Sequence, residues 1–143
     1  MVKKILLPVD LADETSWKAP LAAALELLQG GGELHVVSVM PDFGMSQVAS
    51  YFGDDYEKQA LSGLGAALTE WVAATVPDGV MVHPHVLHGT IYDEILRAAD
   101  RLAVDLIVIG ASRPKLRDYL LGPNAARVVR HARQSVYVVR DGS

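Results

Sequence analysis

A chain of 143 residues, 50% of them hydrophobic and 21% charged, falls within the length of one domain and carries enough apolar material for a single buried core. Its formal charge of −4 excludes the broad basic face that nucleic-acid backbones require. The absence of cysteine excludes a disulfide framework and thiolate chemistry, and the apolar run Ile5 to Leu7 in MVKKILLPVD is too short for a signal-peptide core or a membrane span. The expected setting is therefore the cytoplasm, with no nucleic acid and no membrane insertion.

Lys3 to Val9 reads as a buried parallel strand, apolar without alternation, with Asp10 at its carboxyl end. Asp13 to Gln29 carries Leu and Ala at helical spacing and stops at Gly30-Gly31-Gly32; Pro20 inside it predicts a kink or a late start. Glu33 to Met40, ELHVVSVM, is the second strand, followed by a loop from Pro41 to about Gly53. Asp54 to Thr75 is a helix with Leu61, Leu64, Leu68, Trp71 and Val72 on one face, weakened locally by Gly63 and Gly65. Met81 to Leu87 is a third strand and Thr90 to Leu102 a third helix, with Ile91, Ile95 and Ala98 facing inward. Asp105 to Ile109 is a fourth strand, Gly122 to Ala132 a fourth helix, and Ser135 to Arg140, SVYVVR, the last strand.

Strands alternating with helices imply right-handed crossovers and an open five-stranded parallel sheet with helices on both faces. In the order 3-2-1-4-5 a ligand crevice opens where the strand order reverses, between the carboxyl ends of the first and fourth strands. Pro8-Val9-Asp10 and Ile109-Gly110 lie there. Gly110 permits positive φ and close approach of a ligand, although a simple turn glycine is the plainer reading by itself. Gly122 begins a helix whose first N–H groups and dipole attract an anion. Asp10 suits a hydrogen bond from an adenine amino group or a ribose hydroxyl; it equally suits an N-cap, which Asp13 and Ser16 also offer. Arg113, Lys115, Arg117, Arg127, Arg130, Arg133 and Arg140 crowd the C-terminal part of this acidic chain, and Arg113 and Arg117 flank the crevice as phosphate partners or as ordinary solvated charge.

Other chemistries are poorly supported. His83 and His85 alternate along the third strand and face the same way, with His88 nearby, but no cysteine or well-spaced carboxylate completes a metal set, and no metal site is expected. Ser112 and His131 lack a G-x-S-x-G elbow and a third partner. There is no Walker loop and no G-x-G-x-x-G after the first strand, so an efficient NTPase of those classes is excluded.

Four segments carry a resemblance over essentially the whole chain: ILLPVD, HVVSVMP, HVLHGTIYDEILRAADRLAVDLIVIGAS and YLLGPNAARVVRHARQSVYVVR. They resemble the universal stress proteins of the UspA superfamily, with the adenine nucleotide alpha hydrolase-like fold. The loop SRPKLRDYLLGPNAARVVRHA is most similar to the bacterial F/G-type nucleotide-binding members. ATP-binding members carry Gly-x2-Gly-x9-Gly-[Ser/Thr]. Here Gly110 and Gly122 match the first and last glycines, Arg113 replaces the middle one, the loop is one residue shorter, and Pro123 replaces Ser/Thr.

The resemblance implies an adenine and ribose pocket from Pro8, Val9, Asp10, Val39, Ile109 and Gly110, with phosphates near Arg113, Gly122, Asn124 and Ala125. It implies ATP or AMP as ligand, Mg2+ accompanying the phosphates, a homodimer through Ser135 to Arg140, and a regulatory protein partner of unidentified kind. Pro123 removes one N–H and one hydroxyl, contacts worth about 1 to 3 kcal/mol each to a phosphate. Weaker binding, or a preference for fewer phosphates, is expected. No general base is positioned, so a stress-response or regulatory module is the leading expectation. A dimeric interaction protein with a vestigial pocket comes second. Slow ATP hydrolysis or self-phosphorylation on Ser112 or Thr90 comes third.

Overall fold

The structure is a computed structural model and describes residues 2–29, 31–41, 54–111 and 121–140. Its elements in chain order are β1 (Lys4–Pro8), a 3-10 turn (Glu14–Ser16), α1 (Lys18–Leu28), β2 (Glu33–Pro41), α2 (Asp54–Thr75), β3 (Met81–Gly89), α3 (Ile91–Arg101), β4 (Leu106–Gly110), α4 (Pro123–His131) and β5 (Ser135–Val139). The five strands form one sheet in the order β3-β2-β1-β4-β5, every pairing parallel, as the sequence reading anticipates.

Alternate residues of each strand feed two cores. Ile5, Leu7, Leu34, Val36 and Val108 pack under α1 and α2, where Leu68 is buried and the Trp17 and Trp71 rings meet edge to face at 5.2 Å. Leu6, Val37, Ile107 and Ile109 pack under α3 and α4 with Ile95, Ala98 and Val128. Strands β1 and β4 are covered on both faces, which is why they read as unbroken apolar runs rather than alternating ones.

The first helix starts late. A helix continuous from Asp13 would drive the Pro20 ring into the carbonyl four residues back, that of Ser16. Instead the chain makes the 3-10 turn, capped by Asp13 through Thr15, and α1 begins at Lys18. Pro20 then sits in the first turn, where an N–H would have no intrahelical acceptor. α2 runs unbroken through Gly63 and Gly65. The α1–β2 connection needs glycine at 32, where φ is +91° and a Cβ would run into the Lys3 carbonyl.

At the opposite end of the sheet from the crevice, Asp105 ties the start of β1 to the α3–β4 connection. Its Oδ2 accepts from the Lys3 and Lys4 backbone N–H groups at 2.9 Å each. Those two bonds hold its carboxyl below the usual 3.8. The folded state therefore binds this proton less readily than the unfolded chain. The resulting stability is present above about pH 4 and is lost as pH falls through the lower folded value. Asp105→Asn should lower the urea midpoint at pH 7, and its gap from the parent should narrow as both proteins are taken from pH 5 to pH 3. A gap that stays constant over that range would remove the carboxylate from this role.

Candidate functional site: a cleft at the strand carboxyl ends

A cleft of about 290 Å³ opens where β1 and β4 diverge, bounded by the carboxyl end of β2 and the amino end of α4. The sheet reversal creates it, because the connections after β1 and β4 leave toward opposite faces. Pro8, Val9 and Asp10 line it from the first strand, Val39 from the second, Ile109 and Gly110 from the fourth, and Gly122, Asn124 and Ala125 from α4. These are nine of the positions expected from the sequence. The tenth, Arg113, lies outside the described residues, as do Ser112, Lys115 and Arg117.

The walls also include residues that were not expected at the cleft, two of them inward-facing core positions as anticipated. Ile91 and Ile95, read as core positions, form an apolar side of the cleft with Val37. Their placement depends on how α3 crosses β2, which spacing along the helix does not specify. Ser16 and Ser38 contribute polar groups. Ser38 is buried to 5% exposure, and its hydroxyl makes no hydrogen bond among the described residues. It is therefore available to a polar ligand in the cleft.

Asp10 is not a helix cap. Its Oδ1 accepts from Ala12 N at 3.0 Å in a local turn, while Asp13 caps the 3-10 turn. Ser16 Oγ bonds the Asp10 N–H, its carbonyl and the Asp13 carbonyl, so the turn fixes the aspartate backbone at the cleft rim. Asp10 Oδ2 has no partner among the described residues.

Gly110 serves close packing rather than a left-handed turn. Its φ is not positive. A Cβ there would stand 3.3 Å from the Ser16 carbonyl oxygen and 3.6 Å from Pro20 Cγ, so the glycine lets the 3-10 turn lie against β4. The Gly122 N–H is already donated to the Ala111 carbonyl at 2.8 Å, and the Gly122 carbonyl accepts from Ala126. That leaves Asn124 and Ala125 as the first-turn residues of α4 whose N–H groups have no intrahelical acceptor, Pro123 having none to offer. A shallower groove continues from the cleft past Thr90 and Tyr92 to Arg127, whose guanidinium lies 4.7 Å from the Tyr92 ring centroid.

A second concentration of titratable groups lies on the α3 face of the sheet, toward the amino ends of β2 and β3. His35 and His83 are register partners, and Glu33 is two residues before His35 on the same face. His35 Nδ1 and His85 Nε2 are 3.0 Å apart, and His35 Nε2 and Glu33 Oε2 are 3.5 Å apart. Burial lowers the His35 pKa, with Glu33 pulling against it. Burial and then the neighbouring His35 and Arg101 lower that of His85. The sequence reading found no carboxylate for these histidines because Glu33 comes from another strand. His88 turns away and pairs with Glu57 at 2.9 Å.

Comparison with known proteins agrees with this architecture. The chain is 33% identical over 143 residues to universal stress protein G of Shigella flexneri, covering 98% of this chain and 100% of that one. Among solved structures, hypothetical protein MJ0577 superposes with a TM-score of 0.82 at 22% identity, covering 100% and 99% of the two chains. A universal stress protein family protein from Arabidopsis thaliana with AMP bound superposes at 0.64 and 16% identity, covering 99% and 93%. At these identities the structural likenesses establish the fold alone. The universal stress protein family matches residues 1–140, and with the near full-length relative this places the chain in that family.

Proposed function

We propose that the chain is an adenine-nucleotide-binding regulatory module of the stress-response kind, taking AMP or ATP in the cleft between β1 and β4. The observation that carries this reading is the convergence, in one cavity, of an apolar slot, a rim carboxylate and the unoccupied N–H groups of a helix N-terminus. Val39, Ile91, Ile95 and Ile109 suit the faces of a purine. Asp10 Oδ2 and the Ser38 hydroxyl suit the polar edge of the base or the ribose. The Asn124 and Ala125 N–H groups and the positive end of α4 suit a phosphate. Mg2+ would accompany the phosphates and offset their charge. The groove toward Arg127 is the continuation available to a longer phosphate chain. A related protein with AMP bound supports the nucleotide class.

We read the module as working by occupancy of the cleft. Nucleotide that fixes the Asp10 turn and α4 relative to the sheet would alter the surface offered to a regulatory partner. Untagged protein purified without added nucleotide should show excess absorbance near 260 nm and release AMP or ATP identifiable by mass. Nucleotide-free protein that also fails to bind either compound in calorimetry would favour the vestigial-pocket reading.

Pro123 sets the preference within this scheme. Pro123→Ser returns one N–H and one hydroxyl to the start of α4 and should tighten ATP about tenfold while changing AMP less. Equal effects on both nucleotides would remove the proline from phosphate recognition.

The protein would act as a homodimer through β5. The two sheet edges differ in kind. β3 carries Pro84, which blunts pairing, whereas β5 presents SVYVV with no proline or charge. Tyr137 is 46% exposed and Val129, on the adjacent α4, 43% exposed, leaving apolar surface beside that edge. A second copy related by a two-fold axis would add its β5 antiparallel and cover both.

A further inference from the structure

We propose that Glu33, His35 and His83 form a binding site for a divalent transition-metal ion of the zinc class, linking the edge strand β3 to β2. One ligand atom from each of these residues lies within 4.8 Å of the other two. Glu33 straddles the pair: Oε2 is 3.5 Å from His35 Nε2 and Oε1 is 3.8 Å from His83 Nε2. Four ligands at about 2.1 Å from a tetrahedral zinc stand about 3.4 Å from one another, so the 3.5 Å pair needs little adjustment and the third ligand, within 4.8 Å, has to draw in. Two imidazoles and a carboxylate are a common zinc donor set, with water completing the fourth position.

The surroundings are arranged as metal sites usually are. His35 is held from behind, its Nδ1 3.0 Å from His85 Nε2. In the tautomer whose Nδ1–H donates in that bond, Nε2 keeps its lone pair for an ion; in the other, Nε2–H donates to Glu33 and the ion would take the place of that proton. The His35 ring is buried and stacks on both neighbours, at 4.9 Å from His83 and 5.3 Å from His85. Its position is therefore fixed by packing rather than by the ion. His83 is the adjustable ligand. Its ring lies only 25° from parallel with His35, so its lone pair must turn inward, and at 44% side-chain exposure it has room to do so.

Two cations oppose the ion. Lys4 Nζ is 3.8 Å from Glu33 Oε2, and Arg101 faces His85 from the end of α3. Lys4 is 43% exposed and can withdraw its ammonium into water. The site stands at the amino ends of β2 and β3, and the nucleotide cleft at the carboxyl end of β2. Ion and nucleotide would not compete for ligands, and Mg2+ bound with phosphates would be a separate ion. The consequence for the fold is local: β3 is an edge strand, and an ion shared with β2 fastens it.

The test uses untagged, chelator-treated protein without nucleotide, titrated with zinc chloride near pH 7.5. One equivalent should bind with micromolar or tighter affinity and raise the melting temperature by several degrees. Cobalt in its place should give the visible absorption of a tetrahedral centre. His83→Ala and Glu33→Gln, each checked for parent-like circular dichroism, should weaken binding at least tenfold and abolish the thermal shift, while His88→Ala should retain both. Binding weaker than about 100 µM in the parent, or parent-like binding in both variants, would overturn the proposal.

Discussion

Val138→Pro should convert the proposed dimer to a monomer without unfolding it, because of which way the backbone of β5 points. The Val139 carbonyl accepts from Ala111 N on the β4 side at 2.9 Å, so the alternate residues Ser135, Tyr137 and Val139 turn their backbone groups toward β4. Val136 and Val138 then turn theirs outward, to the open edge. Proline at 138 deletes an outward N–H in the middle of that edge and leaves the β4 ladder intact. The substitution trims some packing on the α4 face, where Val138 is partly buried, at a cost of about 1 kcal/mol. Size-exclusion chromatography with light scattering should report half the parent mass at micromolar concentration. A well-folded dimeric variant, or a monomeric parent, would place the association elsewhere or remove it.

At Gly110 the expected effect is a loss of nucleotide affinity by at least tenfold on replacement with valine. The side chain would press on the Ser16 carbonyl and Pro20, displacing the 3-10 turn. Because Ser16 holds both the Asp10 N–H and the Asp10 carbonyl, the rim carboxylate moves with it. Overpacking of this kind also costs about 1 to 3 kcal/mol of stability. Gly110→Ala should be milder, since a single Cβ at 3.3 Å asks its neighbour to give by a few tenths of an ångström. Asp10→Ala leaves the turn in place and removes one ligand hydrogen bond, an expected loss of about five- to thirtyfold. Calorimetry with AMP and ATP, alongside circular dichroism, reads all three variants. Parent-like affinity in both Gly110→Val and Asp10→Ala would place the nucleotide site outside this cleft.

Much of this was legible in the chain. Parallel strands buried on both faces must be continuously apolar, and helices between them must carry a one-sided stripe, so ILLP, LIVIG and the spacing in ILRAADR announce the layers and their alternation. The crossover rules allow several strand orders; the order 3-2-1-4-5 agrees with the family resemblance, and once it is taken the location of the cleft follows. Nine of the expected positions line it, six of them at strand ends and three at the start of α4, both of which sequence locates well.

What sequence could not supply is whatever depends on two elements meeting. The role of Gly110 depends on the 3-10 turn that Pro20 forces against β4, and that of Gly122 on the Ala111 carbonyl that takes its N–H. Ile95 is core and cleft wall at once, and Ile91 packs against the same cluster; that this part of the core borders the cleft is decided only by the crossing of α3 over β2. The histidines are the clearest instance. Along β3 they have no carboxylate at a useful spacing, and it is the register His35↔His83 that brings Glu33 beside them from a strand some fifty residues earlier. Periodicity reports how one segment divides its faces between core and water, a local property of the chain. Register and crossing angle are settled only when those faces are packed together, and the chemistry shared between segments is settled with them.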